Sequence, residues 1–292
     1  MIIDSHAHLT HPLFDQEFRF LRWYEHDFSV ANGARASVTQ ASVNNRIIGW
    51  IEPAISFESN QSISQAQAPD GMRMYRAVGV HPTRVWLTKL RNRKKLPAFV
   101  HPDTVAIGET GLDYHYPRRK QHRLLQKLWF KYQIRLADEY KLPLILHIRQ
   151  ADDDALKILK RNRSRLHGGV VHCFAGGPET ARKYLSLGFA LGIGGTLLQE
   201  KNARLLRESV KAAPLTQLLV ETDAPYVLPD FCYEGSNKSK RKIRNSPAIL
   251  PRVLEEIANL KGIDLTTAEK AVFRNTIRIF RIDDSEHRMI HS

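Results

Sequence analysis

The chain has 292 residues, 42% of them hydrophobic, with 16 glycines and 14 prolines, enough for one large core and unlike a collagenous or wholly disordered chain. Two cysteines, Cys173 and Cys232, exclude a disulfide framework and fit a reducing cytoplasm. No run nears the ~18 apolar residues of a membrane helix, and no signal peptide is expected from "MIIDSHAHL". The net charge of +14, from 44 Lys+Arg against 30 Asp+Glu, favours polyanionic partners, nucleic acid above all.

Short apolar runs then recur along the chain. They are "MIIDSHAHL" (1–9), "IIGWIEPAIS" (47–56), "YRAVGVHP" (75–82), "TVAIGETG" (104–111), "LPLILHIR" (142–149), "GGVVHCF" (168–174), "FALGIGG" (189–195) and "LLVETDAP" (218–225). Near-continuous Val, Ile and Leu is the pattern of parallel strands buried on both faces. Helical patterns fall between several of them. Residues 120–140 carry Leu125, Leu128, Tyr132 and Leu136 at spacings of three or four, with charge on most of the opposite face. Another helix is predicted to start at Pro178 and stop at Gly188. Residues 56–71 read as polar and loop-like with room for a helical part, and 232–247 as a basic surface loop.

Strands alternating with helices over this length predict a TIM-like (β/α)₈ barrel in one domain, residues 1–292, with 10–74 as divergent elaborations. The alternative, a doubly wound open sheet, would carry a Gly-rich phosphate loop after its first strand. Here that strand ends in His6 and His8 instead. Side chains at i and i+2 share one strand face, so the two imidazoles project together. Taken alone, the pair is either an incidental strand end or a metal site.

The other strand ends decide between these. In such barrels the active site forms at the C-terminal ends of the strands. The fourth presents Glu109, the fifth His147, the sixth His172 and the eighth Asp223. The gaps of 38 and 25 residues from Glu109 to His147 to His172 each bracket one βα unit, and the 51 residues on to Asp223 span two. Burying four histidines and two carboxylates unpaired in one barrel mouth would be costly. Divalent cations would satisfy them all. Six ligands exceed the usual three of one catalytic zinc and suit two metals. His6, His8 and Asp223 would hold one ion, His147 and His172 the other, with Glu109 as the bridge. Zn²⁺, Mn²⁺ and Mg²⁺ are all compatible with this donor set. Cys173 adjoins His172 and is expected to point to the opposite face as a structural residue.

The motifs "IIDSHAHL", "VGVHP", "AIGETGLDYH", "LPLILHIR", "VVHCFAG", "LGIGGTLL", "LLVETDAPY" and "RNSPAILPRVLEEIANLKG" occur in that order. Together they resemble the TatD-type metal-dependent DNases of the amidohydrolase superfamily. The resemblance implies a (β/α)₈ barrel, a two-metal centre and the same six ligands. It also implies hydrolysis of DNA phosphodiesters, often as a 3′–5′ exonuclease preferring single strands. This chain departs from the family pattern at Thr10, where an Asp is usual, at Ile148 and Gln150, and at Ser246, where an acid is usual. No ligand position is among them.

The expected chemistry is attack on phosphorus by a hydroxide bridging the two ions, with Asp223 as general base. Substrate-binding candidates are His81, Arg149, Asp113 and Tyr114. His81 would reach a phosphate oxygen or support the ligands. Arg149 would clamp phosphate or pair with Asp152, and Asp113 would orient a ligand histidine. The run "KSKRKIR" (238–244) would track a nucleic-acid backbone or simply be solvated. Tyr226 and Tyr233 are read as packing aromatics, with base stacking the alternative. Two other functions compete: a small-molecule amidohydrolase cleaving amides, esters or lactones at the same metal centre, and a non-catalytic nucleic-acid binder. The net charge favours phosphodiesters over the first, and the intact ligand set argues against the second.

Overall fold

A computed structural model describes residues 1–10, 47–69, 71–115, 122–199, 203–228 and 245–283. The strands are β1 (Ile2–Asp4), β2 (Ile47–Pro53), β3 (Arg73–Val78), β4 (Thr104–Asp113), β5 (Leu144–Arg149), β6 (Gly169–His172), β7 (Phe189–Ile193) and β8 (Leu218–Val220). All are parallel and lie side by side in chain order. Beyond β8 and β1 the ring draws together: Ala7 bridges Ala224, His8 N–H donates to the Ala224 carbonyl at 2.8 Å, and Asp223 N–H donates to the His6 carbonyl at 2.9 Å. The result is a nearly closed barrel with helices between its strands.

Eight predicted strands and eight observed ones coincide in position, because a parallel strand buried on both faces needs an apolar residue at nearly every step. Every strand contributes to one interior cluster: Ile3, Ile48 with Ile51, Ala77, Ala106, Ile145, Val170, Ala190 and Leu219. The outward-facing side chains pack under the helices in a second, larger core. In β5, β6 and β8 the interior residue lies two positions before His147, His172 and Glu221, so the pleat carries the same face up into the mouth.

The helices are α1 (Phe57–Gln65), α2 (Arg123–Tyr140), α3 (Asp152–Arg161), α4 (Pro178–Leu185), α5 (Arg204–Ala212), α6 (Leu250–Lys261) and α7 (Leu265–Phe280). The stretch read as loop-like contains α1, started by a capping box in which the Ser56 hydroxyl accepts from Ser59 N–H and the Ser59 hydroxyl accepts from Ser56 N–H. Of 10–74, the described part supplies β2, α1 and the start of β3. Helix α4 ends at Leu185, and Gly188, at φ +89°, turns the chain into β7 instead of capping the helix directly.

The buried face of α2 differs from the predicted stripe. Gln126, Trp129, Phe130, Gln133, Ile134 and Ala137 face inward with Leu136, whereas Leu128 is 39% exposed. Two glutamines belong to that face because they bond the barrel's backbone, so an apolar count mislocates it by about one position. The basic run 238–244, Tyr233 and Cys232 lie outside the described residues. No helix among the described residues is long and apolar enough to cross a membrane.

Candidate metal centre

The structure brings His6, His8, Glu109, His147, His172 and Asp223 together in the barrel mouth. Glu109 stands at the middle. Its Oε2 lies 3.5 Å from His6 Nε2 and 3.6 Å from His8 Nε2. Its Oε1 lies 3.0 Å from His147 Nδ1 and 3.8 Å from His172 Nε2. Asp223 Oδ1 faces His6 and His8, each at 3.7 Å, and His172 at 3.8 Å. His147 and His172 are register partners on adjacent strands, and the His6 and His172 rings stack with centroids 3.4 Å apart.

Burial and charge set the protonation of this cluster. Burial first, then the neighbouring His172, pushes His6 down to about 3, so it is a neutral imidazole. It is fully buried, and neither ring nitrogen has an aligned hydrogen-bond partner; the approach to Glu109 at 3.5 Å does not make one. Such an orphaned pair of nitrogens is costly in an apolar interior. Glu109 is the reverse case: burial acts to raise it, but the histidines around it, His81 first and His147 through its Nδ1, outweigh burial and hold it well below the usual carboxylate range. Burial lifts Asp223 to about 6 against the pull of His172 and His8. Imidazole nitrogens and carboxylate oxygens within 4.8 Å of one another fit divalent cations, and the unpaired nitrogens of His6 are the observation that tests it. His6, His8 and Glu109 form one such group.

Around these residues stands a layer that positions them. His147 Nε2 meets Asp113 Oδ2 at 3.1 Å. His172 Nδ1 lies 3.0 Å from Glu221 Oε1, and the same oxygen accepts the Cys173 N–H. Asp4, fully buried, accepts from His6 N–H at 3.1 Å and from Thr222 N–H at 3.0 Å, joining the ends of β1 and β8. Glu52 accepts from Leu9 N–H, the Thr10 hydroxyl and the Trp50 indole, each at 2.8 Å. Thr10 therefore supplies a donor where an Asp would set a second carboxylate against Glu52.

Glu221, Asp4 and Glu52 escaped the sequence reading. Each left a signal: Glu221 and Asp4 lie two residues before Asp223 and His6, and Glu52 is a lone acid in an apolar strand.

Cys173 corrects an expectation. β6 ends at His172, Cys173 takes φ +47°, and its Sγ turns to within 3.9 Å of Asp223 Oδ2. Alternation between faces holds only while the strand lasts. Burial raises this thiol to about 12, so it stays protonated.

The substrate-binding candidates separate. His81 Nε2 reaches Glu109 Oε1 at 3.3 Å, while its Nδ1 accepts the Thr83 N–H at 3.1 Å. That bond leaves the proton of the neutral ring on Nε2, making His81 a donor toward the mouth and not a ligand. Burial, then His147, holds His81 at about 4, so the ring is neutral. Tyr114 is directed away: its hydroxyl donates to Asp154 Oδ2 at 2.9 Å and Arg123 lies 4.2 Å over its ring. Arg149 closes β5 with an exposed side chain and a carbonyl that accepts the Tyr114 N–H at 2.9 Å.

Known proteins resemble this chain in sequence and in fold. The model of the TatD related DNase family matches residues 3–281. A Bacillus subtilis protein named uncharacterized metal-dependent hydrolase YabD is 34% identical over 97% of this chain and 100% of its own length. A Rahnella protein named 3′-5′ ssDNA/RNA exonuclease TatD is 39% identical over 64% of this chain and 69% of its own. The crystal structure of YJJV, a TatD homologue from Escherichia coli, superposes with a TM-score of 0.74 at 26% identity, covering 97% of this chain and 98% of that one. A match over nearly the whole barrel, including every strand end that faces the mouth, identifies the chain as a metal-dependent hydrolase of the TatD-related DNase family.

Proposed function

We propose that this hydrolase cleaves phosphodiester bonds of nucleic acid, single-stranded DNA first, shortening it in the 3′–5′ direction. The observation that carries the reading is the placement of Glu109, whose two oxygens face two separate sets of histidines. A carboxylate so placed suits a bridge between two divalent cations, Mg²⁺, Mn²⁺ or Zn²⁺. His6, His8 and Asp223 would hold one and His147 with His172 the other. When bound, such ions neutralise phosphate oxygens and lower the pKa of water.

The chain's own residues supply the remaining steps. Asp223, whose Oδ1 faces three histidines, accepts the proton of the attacking water as general base. His81 donates from Nε2 to a non-bridging phosphate oxygen, and Asp113 keeps His147 turned to its ion. The net charge of +14 favours a polyanionic substrate. The exonuclease names of relatives such as the Rahnella protein point the same way. The whole chain is taken to work as one barrel domain in a reducing cytoplasm, where the free thiol of Cys173 persists.

The test is digestion of end-labelled single-stranded DNA with Mg²⁺ or Mn²⁺, alongside Asp223→Ala. A ladder from the wild type, absent from the variant, is expected, and its polarity gives the direction. No cleavage by metal-loaded protein would move the activity to small-molecule amides, esters or lactones.

A further inference from the structure

Beside the metal centre lies a pocket of about 490 Å³ whose inner wall begins at His8. Its other walls include Ser59 of α1, the turn carrying Arg84, Leu87 and Thr88, and the ring of Tyr226. The volume is in the range of small-ligand sites. Two of its residues are large and exposed although they border an acidic, polar mouth: Tyr226 is 46% exposed and Leu87 58%, with Trp86 next in the chain at 52%. Tyr226 stands edge-on to His8, ring centroids 6.2 Å apart at 72°. It is held there by its own N–H, which donates to the Asp223 carbonyl at 2.7 Å.

Arg84 is tied to the centre in the same way, its N–H donating to the His81 carbonyl at 2.8 Å. Arg84 is exposed and lines the same pocket as Tyr226 and Glu58.

We infer that this pocket seats the nucleotide next to the scissile phosphate, with its base stacked on Tyr226 and its outer phosphate paired with Arg84. The inference rests on the phosphodiester reading and adds to it a named subsite. An aromatic face recognises every base, and a guanidinium recognises every phosphate, so the subsite binds strands without regard to sequence. His8, a ligand candidate, joins this pocket to the centre, so a strand whose phosphate lies at the centre has the pocket open to its next nucleotide, over Tyr226.

The experiment compares wild type, Tyr226→Ala, Tyr226→Phe and Arg84→Ala on two substrates: fluorescent oligothymidylate, and methyl p-nitrophenyl phosphate, a phosphodiester with no base. For Tyr226→Ala, KM for the oligonucleotide is expected to rise roughly tenfold, from the usual worth of one base–aromatic stack, and Tyr226→Phe to restore it. The loss on the small phosphodiester is expected to be several-fold smaller. For Arg84→Ala, the plot of log KM for the oligonucleotide against log salt is expected to flatten by about 0.7, one phosphate contact on a single strand. Equal oligonucleotide KM in wild type and Tyr226→Ala, or losses that run in step on both substrates, would overturn the subsite while leaving the phosphodiesterase. If the wild type turns over neither substrate, the phosphodiester reading itself fails, and the subsite with it.

Discussion

Gln133, on helix α2, holds Val80 by both of its backbone groups. Its Oε1 accepts the Val80 N–H at 2.8 Å and its Nε2 donates to the Val80 carbonyl at 3.1 Å and to the Thr110 hydroxyl at 2.8 Å. Val80 precedes His81 and Thr110 follows Glu109, so a side chain outside the barrel fixes the spacing of two groups in its mouth. Seven residues earlier, Gln126 treats Asp113 alike, accepting its N–H and donating to its carbonyl, both at 3.0 Å.

Replacing Gln133 by Leu leaves three buried polar groups without partners. Each such group costs about 1–3 kcal/mol, so a loss of roughly 3 kcal/mol in denaturant unfolding is expected, allowing for partial relaxation. Metal affinity is expected to fall about tenfold, as for other groups that position ligands. Gln133→Glu keeps the bond accepted from the Val80 N–H and can accept from the Thr110 hydroxyl, but it buries a carboxylate with an oxygen against the Val80 carbonyl, so it is not expected to recover the loss. Equal stability of Gln133→Leu and wild type would show that water replaces the amide.

Gly192 lies under Glu221. A Cβ there would come within 2.2 Å of Glu221 Oε2 and 2.6 Å of its carboxyl carbon. Gly192→Ala therefore has to push the carboxylate off His172, whose Nδ1 is 3.0 Å away. The expected outcome is a 10- to 100-fold weaker metal affinity in calorimetric titration, the usual range for losing such an outer carboxylate. A wild-type affinity would mean that Glu221 does not orient His172.

Glu109→Gln tests the bridge directly. One anionic oxygen becomes an amide that no longer binds a hard cation well. Elemental analysis of loaded protein is expected to drop from about two ions per chain to one or none, the count that a two-metal site implies. An unchanged count of two would remove the bridge.

A different kind of pair, outside the mouth, governs acid stability. Asp154 lies 2.7 Å from Lys127 Nζ and accepts the Tyr114 hydroxyl at 2.9 Å. The bond from Lys127 lowers its pKa, burial opposes, and Tyr114 adds to the lowering. A carboxyl depressed on folding stabilises above its unfolded pKa and loses that contribution as pH falls through its folded value. Asp154→Asn is therefore expected to be less stable than wild type at pH 7 and to match it near pH 2. The pair is about a third exposed, so screening by solvent limits the difference to below about 1 kcal/mol. A gap that does not close in acid unfolding curves would contradict this origin.

The sequence by itself determined the eight strands, because a strand buried on both faces must be apolar at nearly every position, and "IIGWIEP" or "FALGI" can be little else. It also placed His6, His8, Glu109, His147, His172 and Asp223 directly after apolar runs, and so at one end of the barrel. Only the tertiary structure decided how they meet. That Glu109 turns one oxygen to His6 and His8 and the other to His147 depends on barrel closure, which brings residues over a hundred positions apart to within 4 Å. Periodicity names a face but not what lies across from it, so Gln126 and Gln133 read as the polar side of α2 until the barrel backbone is there to bond them. Cys173 reads as outward until the strand ends one residue before it. Tyr226 reads as a packing aromatic until the ring is found beside an open pocket with nearly half its surface uncovered. A local pattern encodes which side chains want burial; only the assembled neighbours decide which buried polar groups are paired, and with whom.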